Sequence, residues 1–204
     1  MKIYLLRHSE TELNEKDIIS GDKDAKLTER GKKQAKNLGE FLRTKHISKI
    51  YTSDIKGSKE TAKLIAEAIK KKPKIIRIKK FNERNLGFFQ GKRWDVISVF
   101  YKEYLFKSEN RLIKTILEPK NGETWEELKN RVISAINDIL EKNKKPIVIV
   151  GHLDVNRILL RYMGNMTEKE MYEIWQTSSS VNLIEYKNEK FEIKVINYIL
   201  SKNR

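Results

Sequence analysis

Short apolar, β-prone runs alternate with amphipathic helical periods along most of this chain, and that alternation leaves few architectures open. Lys2-Ile3-Tyr4-Leu5-Leu6, Ser48 to Tyr51, Lys74 to Ile78 and Pro146 to Val150 read as strands. A helix is predicted from Thr28 to about Arg43, with Thr28 as its N-cap and Ala35, Leu38, Phe41 and Leu42 on one face. Thr52-Ser53-Asp54 reads as the cap of a second helix reaching about Lys70, and Val155 to Tyr162 as a further helix. Val181 to Tyr186 and Phe191 to Tyr198, joined by Lys187-Asn188-Glu189-Lys190, form a predicted terminal hairpin. These periods predict an α/β chain: a three-layer α/β/α sandwich on a mostly parallel central sheet.

At 204 residues the chain can bury one substantial core, so residues 1–204 are read as a single domain. The alternation fails between about Phe81 and Asn121. Phe88, Phe89, Trp94, Phe100, Tyr101, Tyr104 and Phe106 collect there among Gly87, Gly91 and many charges. This stretch (81–121) is expected to be a lid-like helical insertion over the C-terminal ends of the strands, with Trp94 and Tyr101 sharing a helical face. Gly122-Glu123-Thr124-Trp125 then opens a long helix to about Lys142.

The chemistry-bearing residues sit at strand ends. The first strand runs into Arg7-His8-Ser9-Glu10-Thr11, with Asn14 following, and another runs into Gly151-His152. In open α/β sheets the C-terminal ends of strands are where ligands bind. An imidazole can attack phosphorus, and a neighbouring guanidinium can hold phosphoryl oxygens with a planar fork of donors. Of the three His residues, His46 lies between a helix and a strand and is read as structural or surface. The absence of Cys removes disulfides, thiolate metal sites and Cys nucleophiles. The net charge of +15 invites a nucleic-acid reading. Its Lys residues, however, are spread beside Glu on helical faces with only short runs such as Lys70-Lys71-Lys72, and no zinc-finger or RNP pattern accompanies them. General attraction of anionic substrates covers the charge. Without a leader pattern or a bilayer-length apolar run, a cytoplasmic protein with no dedicated nucleic-acid or membrane partner is expected, as a monomer or homodimer.

Leu6-Arg7-His8-Ser9-Glu10-Thr11 with Asn14 resembles the opening signature of the histidine phosphatase superfamily, in its phosphoglycerate-mutase-like branch. The likeness continues through Ser20-Gly21, Asp24, and Leu27-Thr28-Glu29-Arg30-Gly31 to Gln34-Ala35. Tyr51-Thr52-Ser53-Asp54 with Thr61-Ala62, Asn82-Glu83 with Gly87 and Gly91, Pro119 with Gly122-Glu123, and Val150-Gly151-His152 with Arg157 complete it. The ordered series spans roughly residues 1 to 185. It implies a double displacement: His8 takes the phosphoryl group of a small phosphorylated substrate as phosphohistidine, and water or a second acceptor removes it. Arg7 and His152 would bind non-bridging oxygens. Glu83 would protonate the leaving alkoxide and later deprotonate water, a task that suits a carboxyl raised by burial. Thr11, Asn14, Ser20, Gly21 and Leu153 would face the substrate or its phosphate. No metal or other cofactor is implied, and no ligand spacing such as HExxH is present.

The chain departs from the pattern at several places. Ser9 replaces a Gly. Gly57 stands where the family carries an Arg in its phosphate clamp, a loss worth roughly 2–4 kcal/mol of transition-state stabilisation, with Lys56 or Lys59 as possible substitutes of poorer geometry. Leu153-Asp154 stands where a small residue is common, and Asp154 is expected to cap a helix while pointing away. Gly21-Asp22 lacks the Trp, and the insertion lacks the Arg-Arg pair, of the phosphoglycerate-mutase subgroup. Arg157 is read as a helix-face or salt-bridge residue. The expectation is therefore a metal-independent phosphomonoesterase. A cofactor-dependent phosphoglycerate or phosphosugar mutase, or a weakly active or non-catalytic phosphate-binding relative, are the alternatives.

Overall fold

A computed structural model describes residues 1–96 and 119–201. Its strands are β1 (Lys2–Arg7), β2 (Lys49–Thr52), β3 (Lys74–Arg77), β4 (Ile147–Gly151), β5 (Val181–Lys187) and β6 (Lys190–Tyr198). They form one six-stranded sheet in the order β3-β2-β4-β1-β5-β6. The first four in that order run parallel, while β5 and β6 add on antiparallel beyond β1. The helices are α1 (Glu12–Glu15), α2 (Glu29–Leu42), α3 (Lys56–Ala68), α4 (Trp125–Glu141), α5 (Leu153–Gly164) and α6 (Glu168–Glu173).

The sheet is apolar on both faces because helices cover both. Ile3 and Leu5 of β1, with Ile147 and Ile149 of β4, pack against Leu128, Val132 and Ile136 of α4 and Leu159 of α5. The alternate residues, Tyr4, Leu6, Val148 and Val150, face Leu38 and Leu42 of α2 and Ile65 of α3. This period of two along continuous apolar strands is the signature of a fully buried parallel sheet. Each such Leu or Ile contributes about 1.5–3 kcal/mol relative to an exposed side chain. The terminal hairpin closes through Asn188 and Glu189, both at positive φ (49° and 59°), the backbone that a two-residue hairpin loop with right-handed strand twist requires.

Thr28 caps α2 by accepting from the Gly31 N–H, and Thr124 caps α4 in a reciprocal box with Glu127. Two expected helix starts fall elsewhere. Thr52-Ser53-Asp54 is not the cap of α3; Ile55 holds the N-cap position with no side-chain bond. The hydroxyls expected to cap it bond otherwise: Thr52 Oγ1 pairs with Ser58 Oγ in the first turn of α3 (2.7 Å), and Ser53 Oγ lies 2.8 Å from His152 Nε2 while accepting from the Ile55 N–H (3.2 Å). Nor does Asp154 cap α5: His152 is its N-cap, and Asp154 lies buried in the first turn, paired with Arg157 at 3.1 Å.

Of the expected insertion, the structure describes both flanks. Lys79–Phe81 and Gly87–Phe89 are single turns of 3-10 helix, and Phe81 is fully buried against the α4 side of the sheet. The aromatics Phe100, Tyr101, Tyr104 and Phe106, and the pairing of Trp94 with Tyr101, lie outside the described residues. Among the described residues, no helix is long and apolar enough to cross a membrane.

Candidate active site

Strand register brings the two histidines together. β1 lies beside β4 with Arg7 opposite Gly151, so the next residue on each strand, His8 and His152, emerges at the same edge. The His8 N–H bonds the Gly151 carbonyl at 3.0 Å, and the two imidazole centroids are 5.0 Å apart. β2 adjoins β4 on its other side with Thr52 opposite Val150, which delivers Ser53 to His152.

His8 is held by its own backbone neighbourhood. Its Nδ1 lies 2.8 Å from the Ser9 carbonyl oxygen. A carbonyl only accepts, so Nδ1 carries the proton and the neutral ring presents its lone pair at Nε2. Burial, and then the adjacent Arg7 charge, push the His8 imidazole down to about 4. Burial, with His8 and Arg7, also holds His152 well below the ordinary imidazole range. Both rings are therefore neutral at pH 7. The Ser9 hydroxyl pairs with that of Ser179 at 2.7 Å, and its N–H donates to Thr61 Oγ1 at 3.1 Å.

Arg7 donates through one terminal nitrogen to the Gln176 carbonyl, while its Nε is buried with no hydrogen-bond partner among the described residues. Unpaired buried donors are rare in folded chains. Arg7 is not itself in the cleft lining, but its charge acts on both imidazoles.

Glu83 is buried beside the start of α5, accepting from the N–H of Arg84 (2.9 Å) and of Asp154 (3.2 Å). Burial, and secondarily the Asp154 charge, raise its carboxyl to about 7, against the lowering pull of the two N–H bonds and Arg7. It can thus hold a proton near neutrality and release it to a nearby oxygen. The segment that carries Glu83 is braced from α4. Arg131 donates to the carbonyls of Lys80 and Asn82 (2.7 Å each) and Glu83 (3.3 Å), and it also grips the Glu123 carboxylate. Next to it, the fully buried Arg84 donates from Nε to the Glu123 carbonyl (2.8 Å) and stacks over Trp125.

A small cleft above the strand ends is lined by His8, Thr11, Ser20, Gly21, Lys23, Ala25, Ile55, Gly57, Ser58 and His152. Of the expected substrate-facing residues, Thr11, Ser20 and Gly21 line it; Asn14 and Leu153 do not. Asn14 Oδ1 accepts from the Thr11 N–H (3.1 Å) and hydroxyl (2.9 Å), closing the capping box of α1. Leu153 is the first residue of α5, half-buried. Arg157 is tied to Asp154 and to the carbonyls of Ile174 and Tyr172, away from the cleft lining. Gly57 abuts the site, and a Cβ there would lie 2.7 Å from the Thr11 methyl, so any larger residue must displace Thr11. Neither Lys56 nor Lys59 lines the cleft. A larger hollow, about 480 Å³, lies around Glu12, Glu15, Glu29 and Glu60 and includes neither histidine. Its lining sets those four carboxylates against Lys26, Arg30 and Lys32 and brings no nucleophile of the kind His8 offers. Among the described residues, no group of three or more His, Cys, Asp or Glu is arranged to hold a metal ion.

Sequence reasoning missed the parts that come from distant loops. Ser53 stood in a quoted motif but was read as a cap. Asp154 was expected to point away, yet its N–H and its charge both act on Glu83. Lys23, Gln176 and the Arg131 brace carried no local signal.

A model of the histidine phosphatase superfamily (branch 1) matches residues 3–199. "Phosphoglycerate mutase-like protein 4" of Arabidopsis thaliana is 32% identical over 197 residues, covering 95% of this chain and 84% of the relative. "Metal-independent phosphoserine phosphatase" of the same plant is 30% identical over 203 residues, covering 94% and 79%. Among solved structures, Bacillus stearothermophilus YhfR superposes with a TM-score of 0.84 at 24% identity, covering 100% of this chain and 99% of its own. That last likeness speaks to the fold.

Proposed function

Because the chain belongs to branch 1 of the histidine phosphatase superfamily, we propose that it hydrolyses small phosphate monoesters through a phosphohistidine on His8, with no metal or cofactor. The observation that carries this reading is the His8 ring. Its Nδ1–H is tied to the Ser9 carbonyl, leaving the Nε2 lone pair next to Arg7 and His152.

In the first step Nε2 forms a bond to phosphorus while the ester P–O bond breaks, and Glu83 gives its proton to the departing alkoxide. The Arg7 guanidinium and the His152–Ser53 pair contact the non-bridging oxygens, where charge must be held in place. In the second step the Glu83 carboxylate takes a proton from water as the water oxygen bonds to phosphorus and the P–N bond breaks. Inorganic phosphate leaves, and His8 and Glu83 return to their starting protonation. A carboxyl near 7 can act in both directions at neutral pH. The named activity of the Arabidopsis phosphoserine phosphatase supports hydrolysis as the outcome.

The test is hydrolysis of p-nitrophenyl phosphate in excess EDTA by the wild type and His8→Ala between pH 5 and 8. Turnover that survives chelation and vanishes in the variant is expected. Substantial activity in His8→Ala removes the nucleophile assignment. A folded wild type that does not hydrolyse but is labelled on His8 by a bisphosphate is a mutase, and the hydrolytic reading is then wrong.

A further inference from the structure

Among the described residues, the cleft is short of positive charge. A phosphate monoester carries about −1.5 to −2 near neutral pH. Both imidazoles beside it are neutral, and Arg7, with part of its fork spent on the Gln176 carbonyl, is one cation. The carboxylates of Glu83 and Asp154 lie on the same side as Arg7. No second guanidinium can come from α3, since even a Cβ at Gly57 meets the Thr11 methyl, and Lys56 and Lys59 are not in the lining.

We propose that Lys23, among the described residues the single cationic side chain in the cleft lining, is the second anchor for the phosphoryl group. This rests on the reading that the phosphoryl group is bound at His8. Lys23 reaches the site from the loop after α1, opposite α3.

That loop is built to hold its shape. Ile19 and Gly91 exchange backbone bonds with the facing segment, Gly91 N to Ile19 O (2.8 Å) and Ile19 N to Lys92 O (2.9 Å), and the Trp94 N–H bonds the Asp17 carbonyl (2.8 Å). The Gln90 side chain crosses the gap. Its Oε1 accepts from the N–H of Asp22 (3.2 Å) and of Leu86 (2.9 Å), lying where a Cβ on Gly21 would be. Gly21, at φ +52°, therefore admits Gln90 as well as the turn.

The ammonium of Lys23 is parked beside Gly91, where a Cβ would lie 3.0 Å from Nζ. Among the described residues its one hydrogen bond is long, 3.4 Å to the Gln90 carbonyl, and it has no carboxylate partner. Neighbouring charges are committed elsewhere. Asp24 accepts from the Lys56 N–H, Asp22 accepts from Asn85 Nδ2, and Lys92 sits over the Phe88 ring. An ammonium with three donors and one weak neutral acceptor is free to turn onto an anion in the cleft.

The test is direct binding of inorganic phosphate by isothermal titration, on the full chain, for wild type, Lys23→Met, Lys23→Arg, Lys56→Met and Lys59→Met. Lys23→Met is expected to weaken phosphate binding about tenfold or more, because a charge-assisted contact is lost. Lys23→Arg should stay within about threefold of wild type, as the charge is kept. Lys56→Met and Lys59→Met should stay within about twofold, since neither side chain lines the cleft and charges at a distance are screened. The proposal is overturned if Lys23→Met binds within about twofold of wild type, if either α3 lysine matters as much, or if wild type does not bind millimolar phosphate. Because binding is read apart from turnover, the two readings fail separately. A chain that hydrolyses esters but keeps its phosphate affinity in Lys23→Met refutes the anchor alone. One that loses affinity in Lys23→Met yet never hydrolyses refutes the phosphatase alone.

Discussion

Glu83→Gln should remove the pH dependence of stability that this one carboxyl imposes on the fold. Glu83 sits at about 7 in the folded chain, against 4.5 for an ordinary Glu, chiefly because it is buried. A raised carboxyl stabilises the folded state in its protonated form. That contribution is complete below the unfolded value and is lost as pH rises through about 7. With 4.5 unfolded and about 7 folded, the loss between pH 5 and 8 is about 2–3 kcal/mol. At about 2–4 °C per kcal/mol for a domain of this size, that is roughly 5–10 °C in Tm. Gln carries no charge at any pH. It can still accept from one of the two N–H groups that Glu83 serves, and loss of the other bond costs about 1–2 kcal/mol throughout the range. The variant should be the less stable protein at pH 5 and should match or exceed wild type at pH 8. Urea unfolding of both proteins at several pH values measures the difference, in which all other titrating groups cancel. If the difference changes by less than about 0.5 kcal/mol from pH 5 to 8, Glu83 does not titrate near neutrality and the acid role loses its basis.

The same value shapes catalysis. Wild-type kcat/KM should fall below about 4 as His8 gains a proton and above about 7 as Glu83 loses one, and Glu83→Gln should remove the upper limb. An upper limb that persists in the variant would assign it to another group. Arg131→Met strips the Glu123 carboxylate and the carbonyls of Lys80 and Asn82 of their donor. It should lower stability by about 3 kcal/mol and slow alkyl phosphates more than nitrophenyl phosphate, whose leaving group needs little protonation. Equal slowing of both substrates would mean that the brace does not act through Glu83. Gly57→Arg should not raise kcat/KM, and Gly57→Ala should already cost about 1–3 kcal/mol in urea unfolding, because the Thr11 methyl occupies the space. A gain in activity would show that the cleft can accept the guanidinium.

Much of the architecture could be read from residue order because it rests on local physics. The apolar runs at Ile3 to Leu6 and Ile147 to Val150 have no polar face to show water, which requires helices on both sides. Thr28 and Thr124 cap helices through bonds that span three residues, and Asn188-Glu189 turns the hairpin within its own loop. Arg7-His8 marks a strand end by itself. Where a short polar side chain had more than one possible partner, the local reading went astray. Ser53 could cap α3 or bond His152, and strand pairing chose the histidine. Asp154 could cap α5 or lie against Glu83, and packing placed it beside the carboxyl.

With the short helices α1 and α6 carrying too little period to be read, what the chain alone determined was the strands, the four long helices and the two histidines at strand ends. These follow from period, propensity and chemistry along a few residues. Only the tertiary structure decided that β1 lies beside β4 with Arg7 opposite Gly151, and so that His8 and His152 share one cleft. It alone raised Glu83, because burial and the approach of Asp154 are properties of packing between segments far apart in sequence. It also placed Lys23, and neither Lys56 nor Lys59, in the lining of that cleft. A charge acts through space and through the water it excludes, and neither distance nor solvent is written in the order of residues.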